Sequence, residues 1–353
     1  MARHEGMVVF VRHALPGERV MAEVTEEHRG YLRADAVDVL EPSTERVVAP
    51  CPYAHPDGCG GCDLQHASPT AQLDWKTAVV REQLRRLAGL DWDGSVEPVA
   101  PSFGWRTRIR YHVDAADRPG LLKHRSNEVV PIDRCLIADP SIQALPILGR
   151  PAKADAIDVV AVRGKAQIVE GQRITERAMG RDFDLAASAF WQVHPAAAET
   201  LADSVLEMLA PQRGETALDL YGGAGLFAAA LAGRGCSVTM VEASGAGSEA
   251  ATRSLRGLDV WIIESTVERA PLPESDIVVL DPPRTGAGAR AVRKIADVGP
   301  RAIAYVACDP AALARDLHTF STHGWNLTHL RAFDLFPQTH HVECVALLLR
   351  GAR

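Results

Sequence analysis

The sequence predicts an α/β protein whose carboxyl-terminal half is an open, mainly parallel sheet covered by helices on both faces. Three observations predict it. From about Ala187 short apolar segments alternate with helical ones. The middle of the chain carries a cysteine cluster, one helix and several short strand candidates. The first 48 residues repeat strand and turn signals, as part of a small β-barrel would. The expected units are therefore residues 1–48, 49–186 and 187–353.

At the amino end MVVFVRH is apolar and rich in β-branched residues. LPGE makes a turn, RVMAEVTEE alternates, and YLRADAVDVL follows as a further strand. The middle region opens on the cysteines. SPTAQLDWKTAVVREQLRRLAG then predicts a helix over 68–89, with Ser68 as N-cap and Gly89 as the stop. WRTRIRYHVDAA, GLLKHR, EVVPID and DAIDVVAVRG are short strand candidates. In the last region ETALDLY, SVTMVEA, DIVVLDPP, AIAYVAC and HVECVALLLR supply the strands of the parallel sheet.

The chain has 353 residues, 47% of them hydrophobic, enough for a substantial core. No run of about 18 apolar residues occurs, so no membrane span is expected. The start lacks the charged head, apolar stretch and cleavage site of a signal peptide, which predicts a cytoplasmic protein. A net charge of −7 gives no global pull on nucleic acid, but a local basic patch decides phosphate contact. Of seven cysteines, Cys236 and Cys344 are read as core residues.

Candidate chemistry gathers at the carboxyl ends of the predicted strands, where open α/β sheets bind ligands. Asp219-Leu-Tyr-Gly-Gly-Ala-Gly225 lies between an apolar strand and a helix, and Glu242 ends the next strand. Glycines let a ligand approach the backbone, and a carboxylate at Glu242 can accept hydrogen bonds from ribose hydroxyls. The pair predicts a nucleoside cofactor; a glycine turn alone would not. LDPPRTG places Asp281 in a loop stiffened by two prolines. Cys308 falls where a strand yields to a helix, a position that should expose the thiol and lower its pKa. Glu343 interrupts an apolar strand, which costs free energy unless the carboxylate has a partner or a task.

Cys51, Cys59 and Cys62, with Cys135 far along the chain, supply four thiolates for either zinc or an iron–sulfur cluster, and spacing alone does not choose. Arg106, Arg108 and Arg110 recur at period two beside Tyr111 and His112. Such a strip suits RNA contact, and equally a solvated strand face.

Four motifs in order resemble the RNA 5-methyluridine (uracil-C5) methyltransferase family. They are Phe190-Trp-Gln192, Asp281-Pro-Pro-Arg-Thr-Gly286, Ala307-Cys-Asp-Pro310 running through Leu313-Ala-Arg-Asp316, and His341-Val-Glu-Cys344. Ala307, Asp309 and Ala312 replace the family's usual Ser, Asn and Thr, and Leu226 stands where relatives often carry Asn. The resemblance implies a Rossmann-like S-adenosylmethionine-dependent domain, with Cys308 as nucleophile and Glu343 as base. Gln192, Asp219, Tyr221, Gly223, Gly225, Glu242 and Asp281 would hold the cofactor. It also decides the cysteine quartet in favour of the 4Fe–4S cluster of ribosomal-RNA members, in a central α+β domain. VVFVRHALPGERV resembles part of a TRAM domain, an OB-like RNA-binding barrel whose first strand would precede this start. The expected partner is RNA, 23S rRNA before tRNA, and the expected state a monomer. A cytosine-5 methyltransferase is disfavoured by Glu343 and the quartet, and a non-catalytic cluster-bearing RNA-binding factor by Cys308 together with Glu343.

Overall fold

A computed structural model describes residues 1–351. Its largest element is an eight-stranded sheet. Across the sheet run Val260–Glu264, Ser237–Glu242, Thr216–Leu220, Ile277–Leu280, Ala302–Ala307, Glu343–Arg350, Trp325–Asp334 and Val96–Pro98. The first five are mutually parallel. Glu343–Arg350 runs antiparallel to both its neighbours. The central strands are buried on both faces, which is why they read as unbroken apolar runs: Ile277, Val278, Val279 and Leu280 are all fully buried.

Alternate residues of each strand feed two cores. Ala217 and Ala304 face Leu201 and Phe227 on one side, while Leu218 and Tyr305 face Leu313 and Trp325 on the other. Helices Ala197–Leu209 and Leu226–Gly233 cover the first face; Gly288–Val298 and Pro310–Ser321 cover the second. The predicted 68–89 helix forms as Pro69–Gln83 continued by a π-turn over Leu84–Ala88. Ser68 caps it by accepting the Ala71 N–H at 3.2 Å, and Gly89 ends it in the left-handed conformation at φ 67°. Its Val80 and Leu84 pack into the second core, and Lys76 forms a buried ion pair with Asp334 at 2.6 Å.

Two smaller sheets precede the large one. Ala2–His4, Met7–Arg12, Tyr31–Glu41 and Arg19–His28 form a four-stranded sheet in that spatial order. Lys165–Ile168, Ala156–Val162, Arg108–Val113, Pro119–Leu122 and Val129–Pro131 form a five-stranded one. The hairpin Arg173–Ala178 and Arg181–Ala186 leads into the large sheet's domain. No described helix is long and apolar enough to cross a membrane.

Candidate active site

The carboxyl ends of the parallel strands open into a cavity of about 1050 Å³. Its lining joins the glycine loop and the strand end at Glu242, the motif loops after Leu280 and Ala307, residues 188–193, the segment leading to Glu343, and residues of the central region from Gly60 to His124.

The turn after Leu220 bends through positive φ at Tyr221, Gly223 and Gly225 (62°, 56° and 89°). Gly225 thereby starts the helix Leu226–Gly233. Glu242, at the end of the next strand, accepts the Gly223 N–H at 2.7 Å and the Ser244 N–H at 2.6 Å. One bond to each carboxylate oxygen fixes the side chain and leaves lone pairs free for hydroxyl donors. Gln192, Tyr221, Gly223, Glu242 and Asp281 all line the cavity. Asp219 and Gly225 lie beneath it and shape the loop. Asp219 is fully buried; one oxygen accepts the Ala228 N–H at 2.8 Å and the other has no partner. Burial pushes both Asp219 and Asp281 up to about 7.

Cys308 and Glu343 meet at the rim of two neighbouring antiparallel strands. Ala307 pairs directly with Cys344, so the next step of the register sets Cys308 opposite Glu343. Both line the cavity together with Asp281 and Arg284. Cys308 is half-buried and immediately precedes Asp309, which caps the helix Pro310–Ser321 by accepting the Ala312 N–H at 2.7 Å. The expected depression of its pKa is overturned. Burial, then the neighbouring Glu343 and Asp281, push the thiol up to about 11, against the pull of Arg284. Glu343 is 5% exposed, and burial with the Asp281 charge raises it well above the ordinary carboxylate range.

Several lining residues carry chemistry that sequence reasoning did not assign. Arg284 stands within 2.8 Å of the His341 ring nitrogens. His340 Nδ1 lies 2.6 Å from Asp63 Oδ2. Phe190 is 77% exposed at the cavity wall, an unusual position for a large aromatic ring. The signal for Arg284 was inside the Asp281–Gly286 motif; nothing local marked Asp63.

The three arginines of the basic strip separate. Arg106 lines the main cavity. Arg108 is drawn inward to Glu176 at 3.0 Å and to the Ala189 carbonyl at 2.9 Å, so its charge is spent within the protein. Arg110 is exposed but makes a two-pronged pair with Asp158 at 2.7 Å. Ile109 and Tyr111 fill the buried face of the strand; Arg108 and Arg110 share the opposite face, where Glu176 covers Arg108.

Cys51, Cys59, Cys62 and Cys135 line a second, small cavity, which also touches Arg106. None is in a disulfide. A Cβ at Gly60 would stand 2.6 Å from the His124 backbone, so the loop needs glycine to bring its thiols in. Burial raises Cys59 to about 11 and raises Cys62 and Cys135 as well. Buried thiols so disfavoured as free thiolates fit a site where a metal centre supplies the compensating positive charge. Among the described residues, no three His, Cys, Asp or Glu side chains are arranged to hold a single metal ion.

Comparison with known proteins identifies the family. Residues 273–351 match the family model described as tRNA (Uracil-5-)-methyltransferase, and residues 1–37 match the TRAM domain. An uncharacterized RNA methyltransferase of Streptomyces avermitilis is 44% identical, over 99% of this chain and 94% of the relative. A 23S rRNA (uracil(1939)-C(5))-methyltransferase of Shewanella sp. is 31% identical, over 98% of this chain and 92% of the relative. The crystal structure of Pyrococcus abyssi tRNA (uracil-54, C5)-methyltransferase in complex with S-adenosyl-L-homocysteine superimposes with a TM-score of 0.75. It covers 96% of this chain and 95% of its own at 23% identity, a likeness of fold.

Proposed function

We propose, since this chain belongs to the RNA uracil-C5 methyltransferase family, that it methylates carbon-5 of a uridine in 23S rRNA through a covalent adduct at Cys308. The observation that carries the reading is the convergence of Cys308, Glu343, Asp281 and Arg284 with the glycine loop on one cavity. The choice of 23S rRNA over tRNA follows the Shewanella relative, which covers nearly the full length of both chains. Residues 1–48 and 49–186 would carry RNA and residues 187–353 the reaction.

Uracil carbon-5 is a weak nucleophile. Addition of the Cys308 thiolate to carbon-6 forms a carbon–sulfur bond and moves an electron pair towards carbon-5 and its neighbouring carbonyl. Bound S-adenosylmethionine supplies an electrophilic methyl group. Glu343 then takes the carbon-5 proton, and the returning electron pair expels the Cys308 thiolate. Since Cys308 rests as a thiol, its proton must leave first. That proton goes to solvent in the open cavity, which leaves Glu343 free for the carbon-5 proton, and Arg284 nearby favours the thiolate. The target base must leave its stack to enter the cavity, and Phe190 offers a ring at the wall for it to stack on.

The cavity's acids give a pH prediction. Asp281 holds its proton up to about 7, and a bound cation favours its carboxylate. The proton is therefore lost on binding, and S-adenosylmethionine affinity should rise about tenfold per pH unit below 7 and level off above it. Calorimetry in buffers of different ionisation enthalpy should show proton release near pH 6; affinity independent of pH would refute the assignment.

Cys51, Cys59, Cys62 and Cys135 would hold the 4Fe–4S cluster, whose chemistry here is cross-linking. It would tie the cysteine loop to a residue roughly 70 positions later, a closure that restricts the unfolded chain. The reaction moves no electrons between substrates, so no redox step is asked of it. Anaerobically purified protein should be brown, with iron and sulfide in near-equal amounts. Cys62→Ser should lose the colour and melt roughly 5 °C lower or more. Stoichiometric zinc without iron, or an unchanged melting temperature, would overturn the cluster reading.

A further inference from the structure

The catalytic glutamate is reached through a strap, residues 335–342, that joins the last two strands of the large sheet. Its middle, at Gln338, is held by the central region. Gln338 adopts φ 71°, a conformation side chains other than glycine rarely take, and is 4% exposed. The buried Gln72 of the Pro69–Gln83 helix grips it twice. Gln72 Nε2 donates to Gln338 Oε1 at 3.1 Å, and the Gln338 N–H donates to Gln72 Oε1 at 3.0 Å. The Gln338 carbonyl accepts the N–H groups of both Asp63 and Leu64 at 3.0 Å, directly after Cys62. Two residues on, His340 donates its own N–H to Asp63 Oδ2 at 3.4 Å and sets Nδ1 2.6 Å from the same oxygen.

The contact chain then runs into the site. The His340 and His341 rings lie 4.1 Å apart between centroids, and His341 stands against Arg284 at 2.8 Å. A strap whose buried Gln338 is matched at its side chain, N–H and carbonyl has few arrangements available to it, and a backbone held at positive φ needs such over-determination.

We infer that Asp63 and His340 act as positioning residues, locking the strap so that Glu343 and Arg284 stand correctly against Cys308. The cysteine loop is thus the anchor of the catalytic pair, whatever else it does for RNA. This rests on the proposed reaction. Neither residue touches the reacting atoms, so their removal should leave cofactor affinity intact and slow the bound step.

The test is single-turnover methyl transfer to a 23S rRNA fragment, at saturating RNA and S-adenosylmethionine, for Asp63→Ala, His340→Ala, the double variant and Asp63→Asn. The His340 side chain is half exposed, so its removal should leave folding intact. Each single alanine variant should slow transfer about 10- to 100-fold, the cost of a small misplacement. The double variant should be no slower than the worse single, because one contact is lost either way. Asp63→Asn, which can still accept from His340, should recover most of the rate. Rates equal to wild type, losses that multiply in the double variant, or a loss confined to RNA affinity would overturn the inference. A wild-type protein that transfers no methyl group to uridine would overturn the proposed reaction and this inference with it; variants matching an active wild type overturn this inference alone.

Discussion

Cys308→Ala is expected to abolish methylation, with turnover at least about 10⁴-fold below wild type, while S-adenosylmethionine binds as before. The thiol contributes the covalent bond that makes carbon-5 nucleophilic, and nothing else at that rim can form it: the neighbouring groups are carboxyls, a guanidinium and imidazoles. The cofactor loop does not depend on it. Tyr221, Gly223 and Glu242 take their shape from backbone angles and from bonds to Gly223 and Ser244. Equilibrium binding and a labelled-methyl transfer assay on the same preparation separate the two effects. Transfer within tenfold of wild type would remove Cys308 from the role.

Glu343→Gln should produce the opposite signature: methyl transfer proceeds, release stalls. Removing a positioned base costs about 10²- to 10⁴-fold in the step it serves, here loss of the carbon-5 proton. Until that proton leaves, the carbon–sulfur bond cannot break, so an RNA–protein adduct should survive denaturing electrophoresis and carry the labelled methyl group. The substitution preserves size, and burial already disfavours a charge at this position, so folding should be little affected. Wild-type turnover with no adduct would assign the base elsewhere.

Much of the fold was legible because the central strands are buried on both sides. Ile277–Leu280 and Ala302–Ala307 have no exposed face, so their sequence is apolar without interruption. The strands that escaped notice lie towards the sheet's edges. Trp325–Asp334 alternates buried and exposed residues, places Asn326, Thr328 and His329 outward, and carries an irregularity between Leu327 and His329. Val260–Glu264 forms the opposite edge, with Trp261 exposed. The first lacks the unbroken run of a central strand; the second has one, Val260 to Ile263, but it lies partly exposed at the edge.

The site divides in the same way. Residues at strand ends were legible, because a polar group after an apolar run marks the ligand side of the sheet: Asp219, Glu242, Asp281, Cys308 and Glu343 all follow or open such runs. Contacts made across long sequence separations were not. Asp63 meets His340 from 277 residues away, and Arg108 finds Glu176 from 68. The pKa of Cys308 failed for a related reason. The helix start that favours a thiolate is visible in the sequence, whereas the burial and the two carboxyls that outweigh it come from other strands.

The central claim is that this chain places a methyl group on carbon-5 of a 23S rRNA uridine. Nucleoside mass spectrometry of purified 23S rRNA and tRNA, from cells with and without the gene, tests it most directly. The account predicts that 5-methyluridine disappears from one site in 23S rRNA, returns when the gene is restored, and does not return with Cys308→Ala. Unchanged 5-methyluridine in 23S rRNA, or its loss from tRNA alone, would contradict it.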